Sequence, residues 1–540
     1  ADSAVRSEAA YALAKISGQE AIPALLGYMT GFTSSIDQSA VKTTLMSVMK
    51  REDTKLLRPV LTTGPEPARK AAVEIMAWSK SNEYFADVLP LTSSGDESVK
   101  SAAFKALAPL AGPENRSDLI KLLTTTDDKT YLSDIQSALS TASALIPDPE
   151  KRSDLLISSF VNNTLRLDPS GLTSLKMKII PVLAGTGGRE ALTVVLKEFE
   201  EGTPEMREVC FRALTSWRDY SASSALFEIC ASGNKTYEGP AFDGYVRQVR
   251  TAPVPDEQKL LLLRKIMPYA LSAERKNRVI AEIGRLKTYQ SLYFIADYLD
   301  DPSTSATAAR SAMQIALPSI TSQTGMYGAL VRDILTKAVP KLAGMEAEYD
   351  REMVNKYLEN MQPGEGFKSM FNGRDLTGWQ GLVQNPVARA KMRPAELAKL
   401  QAEADKRVAD NWSVKDGAIW FSGRGDNLCS VEDYADFEML VDWKISKGGD
   451  SGIYLRGSPQ VQIWDTSRVQ VGAQVGSGGL YNNQKHQSKP LKVADNPVGD
   501  WNTFRIIMTG EKVSVWLNGE LVVDEVVMEN YWDRSIPIFP

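Results

Sequence analysis

Histidine is almost absent from this sequence: His486 is the only one in 540 residues. Any Ser-His-Asp or Cys-His device would have to use it, and metal centres built from several imidazoles are excluded. Cysteine is nearly as scarce. Cys210, Cys230 and Cys429 stand far apart with no C-x-x-C spacing, which excludes a disulfide scaffold and a zinc ribbon. No run of 18 apolar residues occurs, so no transmembrane helix is expected. Charge of one sign is lacking as well: 62 Lys and Arg face 67 Asp and Glu, a net of −5. That balance recommends neither nucleic acid nor an anionic membrane as partner. The chain opens at Ala1 without a Met or a leader-like segment, as a processed or trimmed form would.

What is present is the composition of an ordinary globular protein, 43% hydrophobic and 24% charged, and wrong for a disordered one. Its length calls for several domains or a repeat array. The tryptophans divide the chain. Only Trp78 and Trp217 precede residue 366, and the other eight follow it. Large rings favour pleated, half-buried surfaces, whereas the front is rich in Ala, Leu, Lys and Glu, which favour helix. The boundary falls at Gln362-Pro-Gly-Glu-Gly366, where Pro and Gly stop a helix. The domains expected are therefore 1–362 and 363–540.

The front repeats. Glu66-Pro-Ala-Arg-Lys-Ala-Ala-Val-Glu-Ile-Met-Ala-Trp78 and Glu97-Ser-Val-Lys-Ser-Ala-Ala-Phe-Lys-Ala-Leu-Ala-Pro109 share acidic, basic, Ala-Ala and apolar positions at helical spacing. Each is followed by a second apolar stretch, and similar starts recur near Ser3, Thr203 and Ser303. A period of roughly 30–40 residues is that of two antiparallel helices stacked into a solenoid. The array resembles HEAT-type repeats. Its apolar stripes read as core, and its function as a docking surface for a protein partner or a spacer.

Behind Phe367 the period changes to two. Phe437, Met439, Val441, Trp443 and Ile445 fall on one face of a strand, with Glu438, Leu440, Asp442 and Lys444 on the other, which predicts one wet side. Gly452-Ile-Tyr-Leu-Arg-Gly457 sends Ile453 and Leu455 inward and Tyr454 and Arg456 outward. Asn518-Gly519 predicts a type I′ hairpin. Many short strands with Gly-rich corners predict an antiparallel β-sandwich, interrupted by a helical insertion at about 384–411 that opens on Pro394.

The ordered blocks Phe371-Asn-Gly-Arg-Asp-Leu-Thr-Gly-Trp379, Trp412-Ser-Val-Lys-Asp-Gly417, Gly449-Asp-Ser-Gly-Ile-Tyr-Leu-Arg-Gly457, Val461-Gln-Ile-Trp-Asp465, Gly499-Asp-Trp-Asn-Thr-Phe504 and Trp516-Leu-Asn-Gly519 resemble the 3-keto-disaccharide hydrolase family. The resemblance covers about a third of the chain. It implies a jelly-roll sandwich of the concanavalin A type, carbohydrate chemistry in the cleft of its concave sheet, and a bacterial periplasmic or cell-surface location. Family members run on into closing strands where this chain stops at Pro540, so an incomplete sandwich edge is expected.

The family chemistry starts from a ketone at the third sugar carbon, which acidifies the hydrogen on the second. Removing that proton gives an enolate that expels the glycosidic oxygen, after which water adds. Such a site needs a base, donors for the oxyanion and an acid for the leaving group. The Glu-x-Asp-x-x-Glu strand of retaining glucanases is absent. The residues expected to act are Asp442 or Asp465 as base and Lys444 and Arg456 as oxyanion holders, with His486 as the alternative base, since imidazole titrates near neutrality. Tyr454, Gln462, Trp464, Tyr481 and Asn483 are expected to contact the sugar, a 3-keto or ordinary glycoside. Each has a plain structural alternative: an Asp442–Lys444 surface pair, an Arg456 turn brace, a loop His486. Asp450 and Asp465 are oxygen ligands of the kind calcium takes, without diagnostic spacing, and no other cofactor is expected. The rival reading is a carbohydrate-binding module without turnover.

Overall fold

The computed structural model describes residues 2–31, 34–163, 168–320 and 323–539. Pro540, the last residue of the expected open edge, lies outside them. The chain divides into two compact units, Ala1–Thr251 and Ala252–Pro540.

The first unit is helical. Helices Glu66–Ser79 and Glu97–Leu110 bury residues three and four apart, Ala68, Ala71, Ala72, Ile75 and Met76 in one and Val99, Ala102, Ala103, Ala106, Leu107 and Leu110 in the other. Small alanines on those faces let the two helices pack directly on each other. The Asp96 side chain accepts the Val99 N–H at 2.8 Å and satisfies the open first turn of the second helix. The other repeat starts read from the sequence are helix starts too: Asp2 caps Ser3–Ser17 and Thr203 caps Pro204–Thr215.

Among the described residues, the second unit holds helices and all ten strands. The strands are β1 Trp379–Gly381, β2 Trp412–Lys415, β3 Ala418–Phe421, β4 Leu428–Ser430, β5 Phe437–Trp443, β6 Asp450–Leu455, β7 Ser458–Trp464, β8 Asn502–Thr509, β9 Lys512–Leu517 and β10 Glu520–Val527. Every pairing is antiparallel. One sheet has the order β10-β9-β8-β5, and β1-β4, β2-β3 and β6-β7 form three two-stranded ribbons. Helix Pro394–Asn411 is the insertion, placed between β1 and β2.

The core lies between the four-stranded sheet and the β6-β7 ribbon. Phe504, Ile506, Met508, Val513, Val515 and Leu517 meet Leu455, Val461, Ile463 and Leu480 there, with Phe437, Met439, Val441 and Ile445 packed alongside. Each fully buried large side chain contributes roughly 1.5–3 kcal/mol. The predicted inward face of β5 is the observed one.

Its predicted wet face is not open. Helix Asp256–Ile266 packs against β8. Arg264 pairs with Asp442, and Lys265 Nζ reaches both Asp500 oxygens at 2.9 Å. Gln258 and Asn496 exchange two amide hydrogen bonds, and Gln290 Nε2 donates to Thr503 Oγ1 at 3.3 Å. The compositional boundary at 362/363 thus marks where helix gives way to strand, while helices before it pack with the sheet. The segment there is pinned rather than loose: Gly366 bridges Gly328, and Phe367 lies against Tyr289 with ring centroids 4.6 Å apart. Gly366 has φ +66, and a Cβ on it would stand 2.5 Å from the Tyr327 carbonyl oxygen, so backbone contact this close requires glycine.

Candidate active site

β6 and β7 pair with Asp450 opposite Trp464 and Gly452 opposite Gln462. Alternation sends Val461 and Ile463 into the core, which turns Gln460, Gln462 and Trp464 to the other face. Gly452 makes room on that face, since a Cβ there would meet Gln460 Oε1 at 2.4 Å. Gln460 Nε2 donates to Gln462 Oε1 at 2.7 Å, and Gln462 Nε2 to Asp450 Oδ1 at 2.9 Å and the Ser451 carbonyl at 3.0 Å. Arg468 Nη1 completes the row on Asp450 Oδ2 at 2.8 Å. The result is a fixed line of amides ending in a guanidinium–carboxylate pair.

Trp464 joins this ribbon to the following loop. Its indole N–H donates to the Gly476 carbonyl at 2.9 Å, and its ring meets Tyr481 edge-on at 5.4 Å. Trp464 itself is covered, whereas Tyr481 is half exposed. Beside them, Asp495 Oδ2 accepts the Ser477 N–H at 3.0 Å. Its Oδ1 is buried without a hydrogen-bond partner, and burial pushes the carboxyl up from its ordinary value. A carboxyl in that state holds its proton further up the pH scale and can give it away.

Loop 481–487 carries His486. Asn483 Nδ2 donates to the Val527 and Gln487 carbonyls at 2.8 and 3.1 Å, and its Oδ1 accepts the Glu529 N–H at 3.0 Å. Glu529 then accepts the backbone N–H groups of Gln484, Lys485 and His486 on one oxygen, at 2.9, 2.6 and 2.9 Å. His486 Nδ1 lies 3.4 Å from that same oxygen, and the side chain is exposed.

The expected residues therefore separate. Of the ribbon and loop residues, Trp464 and Tyr481 are in contact; Gln462 shares the strand of Trp464, and Asn483 and His486 lie further along the loop of Tyr481, both against Glu529. Asp442 lies elsewhere, on the covered face of β5 against Arg264, and Lys444 Nζ sits 5.0 Å above the Trp501 ring. Arg456 was expected to point outward from a strand. It stands instead in a turn at φ +49, its side chain 5% exposed. Its guanidinium donates to the Ala435 carbonyl at 2.6 Å and to Asp436 at 2.8 Å. The alternation rule failed there because the strand had already ended. Asp465 is buried and accepts the Gly448 and Ser467 N–H groups at 2.7 and 2.9 Å, which hold its carboxyl below its ordinary range. It shapes the Gly448-Gly449 corner. Tyr454 is partly exposed on β6. Gln460, Arg468, Asp495 and Glu529 escaped the sequence reading. Alternation alone would have found Gln460; the others come from loops or chain positions without periodicity.

Calcium does not fit the two aspartates considered for it. Asp450 is held by Gln462 and Arg468, and Asp465 by backbone N–H groups. Among the described residues no group of three or more His, Cys, Asp or Glu could hold a metal ion, and no helix is long and apolar enough to cross a membrane.

Residues 366–538 match the family described as the 3-keto-alpha-glucoside-1,2-lyase-like domain, and residues 5–29 match the PBS lyase HEAT-like repeat. A 3-keto-disaccharide hydrolase of Bacteroides thetaiotaomicron is 21% identical over 218 residues, covering 34% of this chain and 68% of that protein. Among solved structures, human deoxyhypusine hydroxylase in complex with glycerol is 10% identical, covering 56% of this chain and 98% of that one, at a TM-score of 0.20. Importin beta is 12% identical, covering 66% and 50%, at 0.29. Likeness that slight carries no argument. The chain thus joins a helical array, whose first helices are similar to a HEAT-like repeat, to a C-terminal region similar to the 3-keto-alpha-glucoside-1,2-lyase-like domain.

Proposed function

We propose that the C-terminal domain, a jelly-roll sandwich in this reading, cleaves 3-keto glycosides by proton abstraction, elimination and hydration on the outer face of β7 and loop 476–487. His486 is the base. Its Nε2 has no hydrogen-bond partner among the described residues, while Nδ1 faces Glu529. That open nitrogen, on the exposed side chain of the loop that also carries Tyr481, is the observation that carries the reading.

Nε2 takes the hydrogen on the second sugar carbon, and its electron pair forms an enolate with the ketone. The pair then returns to expel the oxygen on the first carbon, which leaves an enone. The leaving oxygen takes a proton from the imidazolium, and water adds at the first carbon. Arg468 supplies fixed positive charge to the sugar oxygens, while Gln462, buried with its amide N–H groups taken by Asp450 and Ser451, holds the Asp450–Arg468 pair in place. Tyr481 packs against the ring, as aromatic walls of sugar sites do. Asp442, Lys444 and Arg456 take no part; their contacts are structural. A bacterial periplasmic or cell-surface location, which rests on the family resemblance, belongs to the same proposal.

The test is product release by the full chain from a 3-keto disaccharide, with its unoxidised parent alongside. Cleavage of the keto sugar alone, with kcat lowered at least 100-fold in His486→Gln, is the expected result. A variant that keeps full turnover removes His486 from the mechanism. A keto sugar that binds without being cut makes the domain a binding module.

A further inference from the structure

We infer that Glu529 is a positioning residue: its carboxylate fixes the loop under His486 and holds the imidazole with hydrogen on Nδ1, so that Nε2 keeps its lone pair for the reaction. The inference deepens the proposed function and rests on it for the word reaction. The tautomer it assigns stands on the protein alone.

Glu529 follows β10, with no periodic pattern to mark it. Its backbone is tied on two sides. The N–H donates to Asn483 Oδ1 at 3.0 Å, and the carbonyl accepts Ser458 Oγ at 3.2 Å, at the start of β7. Its side chain is 8% exposed. One oxygen collects three consecutive backbone N–H groups, a nest that binds an anion, and lies within ion-pair reach of His486 Nδ1. The other oxygen accepts Arg534 Nη1 at 2.6 Å. Arg534 Nη2 in turn donates to the Asn482 carbonyl at 2.9 Å, which closes the loop from its far end.

Every neighbour of the carboxylate is a donor, so an acceptor nitrogen on His486 facing it would be repelled. A neutral imidazole has one N–H and one lone pair. With the N–H turned to the carboxylate, the lone pair is left on Nε2, the nitrogen that carries no partner among the described residues. A carboxylate behind a catalytic imidazole sets its tautomer in the same sense elsewhere. A simple loop anchor needs the three backbone bonds and Arg534; it does not need the imidazole placed at 3.4 Å.

The sole histidine makes the experiment direct. In full-length protein without a histidine tag, long-range ¹H–¹⁵N correlation above the titration range reports one imidazole. The expected spectrum has Nδ1 as the protonated nitrogen. An imidazole protonated mainly on Nε2 overturns the inference, whatever the enzyme does. In Glu529→Gln the tautomers are expected to mix, and turnover of the 3-keto disaccharide to fall 10- to 100-fold in kcat with KM within about threefold. An unchanged tautomer with unchanged kcat leaves Glu529 a loop anchor only and also overturns it. If wild-type protein cuts no keto sugar, the function falls, while the ligand-free spectrum still decides the tautomer.

Discussion

Two opposing effects meet on the Glu529 carboxyl. Burial alone would raise it, but the N–H groups of His486, Lys485 and Gln484 and the His486 side chain outweigh burial and bring it to about 2, from an ordinary 4.5. A depressed carboxyl stabilises the fold above its ordinary value, and that contribution is lost as pH falls towards about 2. Wild-type protein is therefore expected to lose unfolding midpoint between about pH 4.5 and 2 more steeply than Glu529→Gln; parallel acid limbs in the two proteins would refute the assignment. Asp442 gives a second prediction. Its pair with Arg264 is partly exposed, 24% and 27%, and such pairs contribute about 0.2–1 kcal/mol. Asp442→Asn is expected to cost that much in denaturant unfolding and to leave kcat/KM within twofold. The types and alternation of Asp442 and Lys444 are plain in the sequence. Whether their face meets solvent or a helix more than a hundred residues earlier is a long-range fact that alternation does not contain. The same holds for Glu529, which acts on residues 43–45 positions away.

Elements were more legible than sites. Ala-Ala pairs at helical spacing place the helices at 66–79 and 97–110 because small residues on one stripe permit close packing. The period of two places β5, β8 and β9 because one face of each is core. Asn518 and Gly519 both have positive φ, 54° and 84°, as the type I′ reading required. What the pattern cannot show is that this turn meets Pro255. A Cβ on Gly519 would stand 2.2 Å from Pro255 Cβ, so the glycine is required twice, by its backbone angle and by its neighbour. Gly519→Ala is expected to destabilise the second unit by about 2 kcal/mol or more, read from chemical denaturation; a loss under about 0.5 kcal/mol would mean that the turn and the Pro255 segment part easily.

The second unit runs from Ala252, not from the compositional boundary. A fragment 252–540 is therefore expected to unfold cooperatively with a native circular-dichroism signature, whereas 363–540, stripped of the helices that cover β5 and β8, is expected to bind hydrophobic dye and to be cleaved quickly by trypsin. Equal protease resistance in the two fragments would show that the strands need no helical cover. Composition located the change of secondary structure, because aromatic and helix-forming residues segregate there. It could not locate the change of packing unit, which depends on Arg264, Lys265, Gln258 and Gln290 finding partners across the chain. Those partnerships also set a schedule for synthesis. Gln258 and Asn496 are 238 residues apart, so at about 5–20 residues per second the ribosome presents the helix at 256–266 roughly 10–50 s before its strands exist. During that interval its sheet-facing side has nothing to meet, and the nascent chain is exposed to misassociation until β8 and β9 emerge.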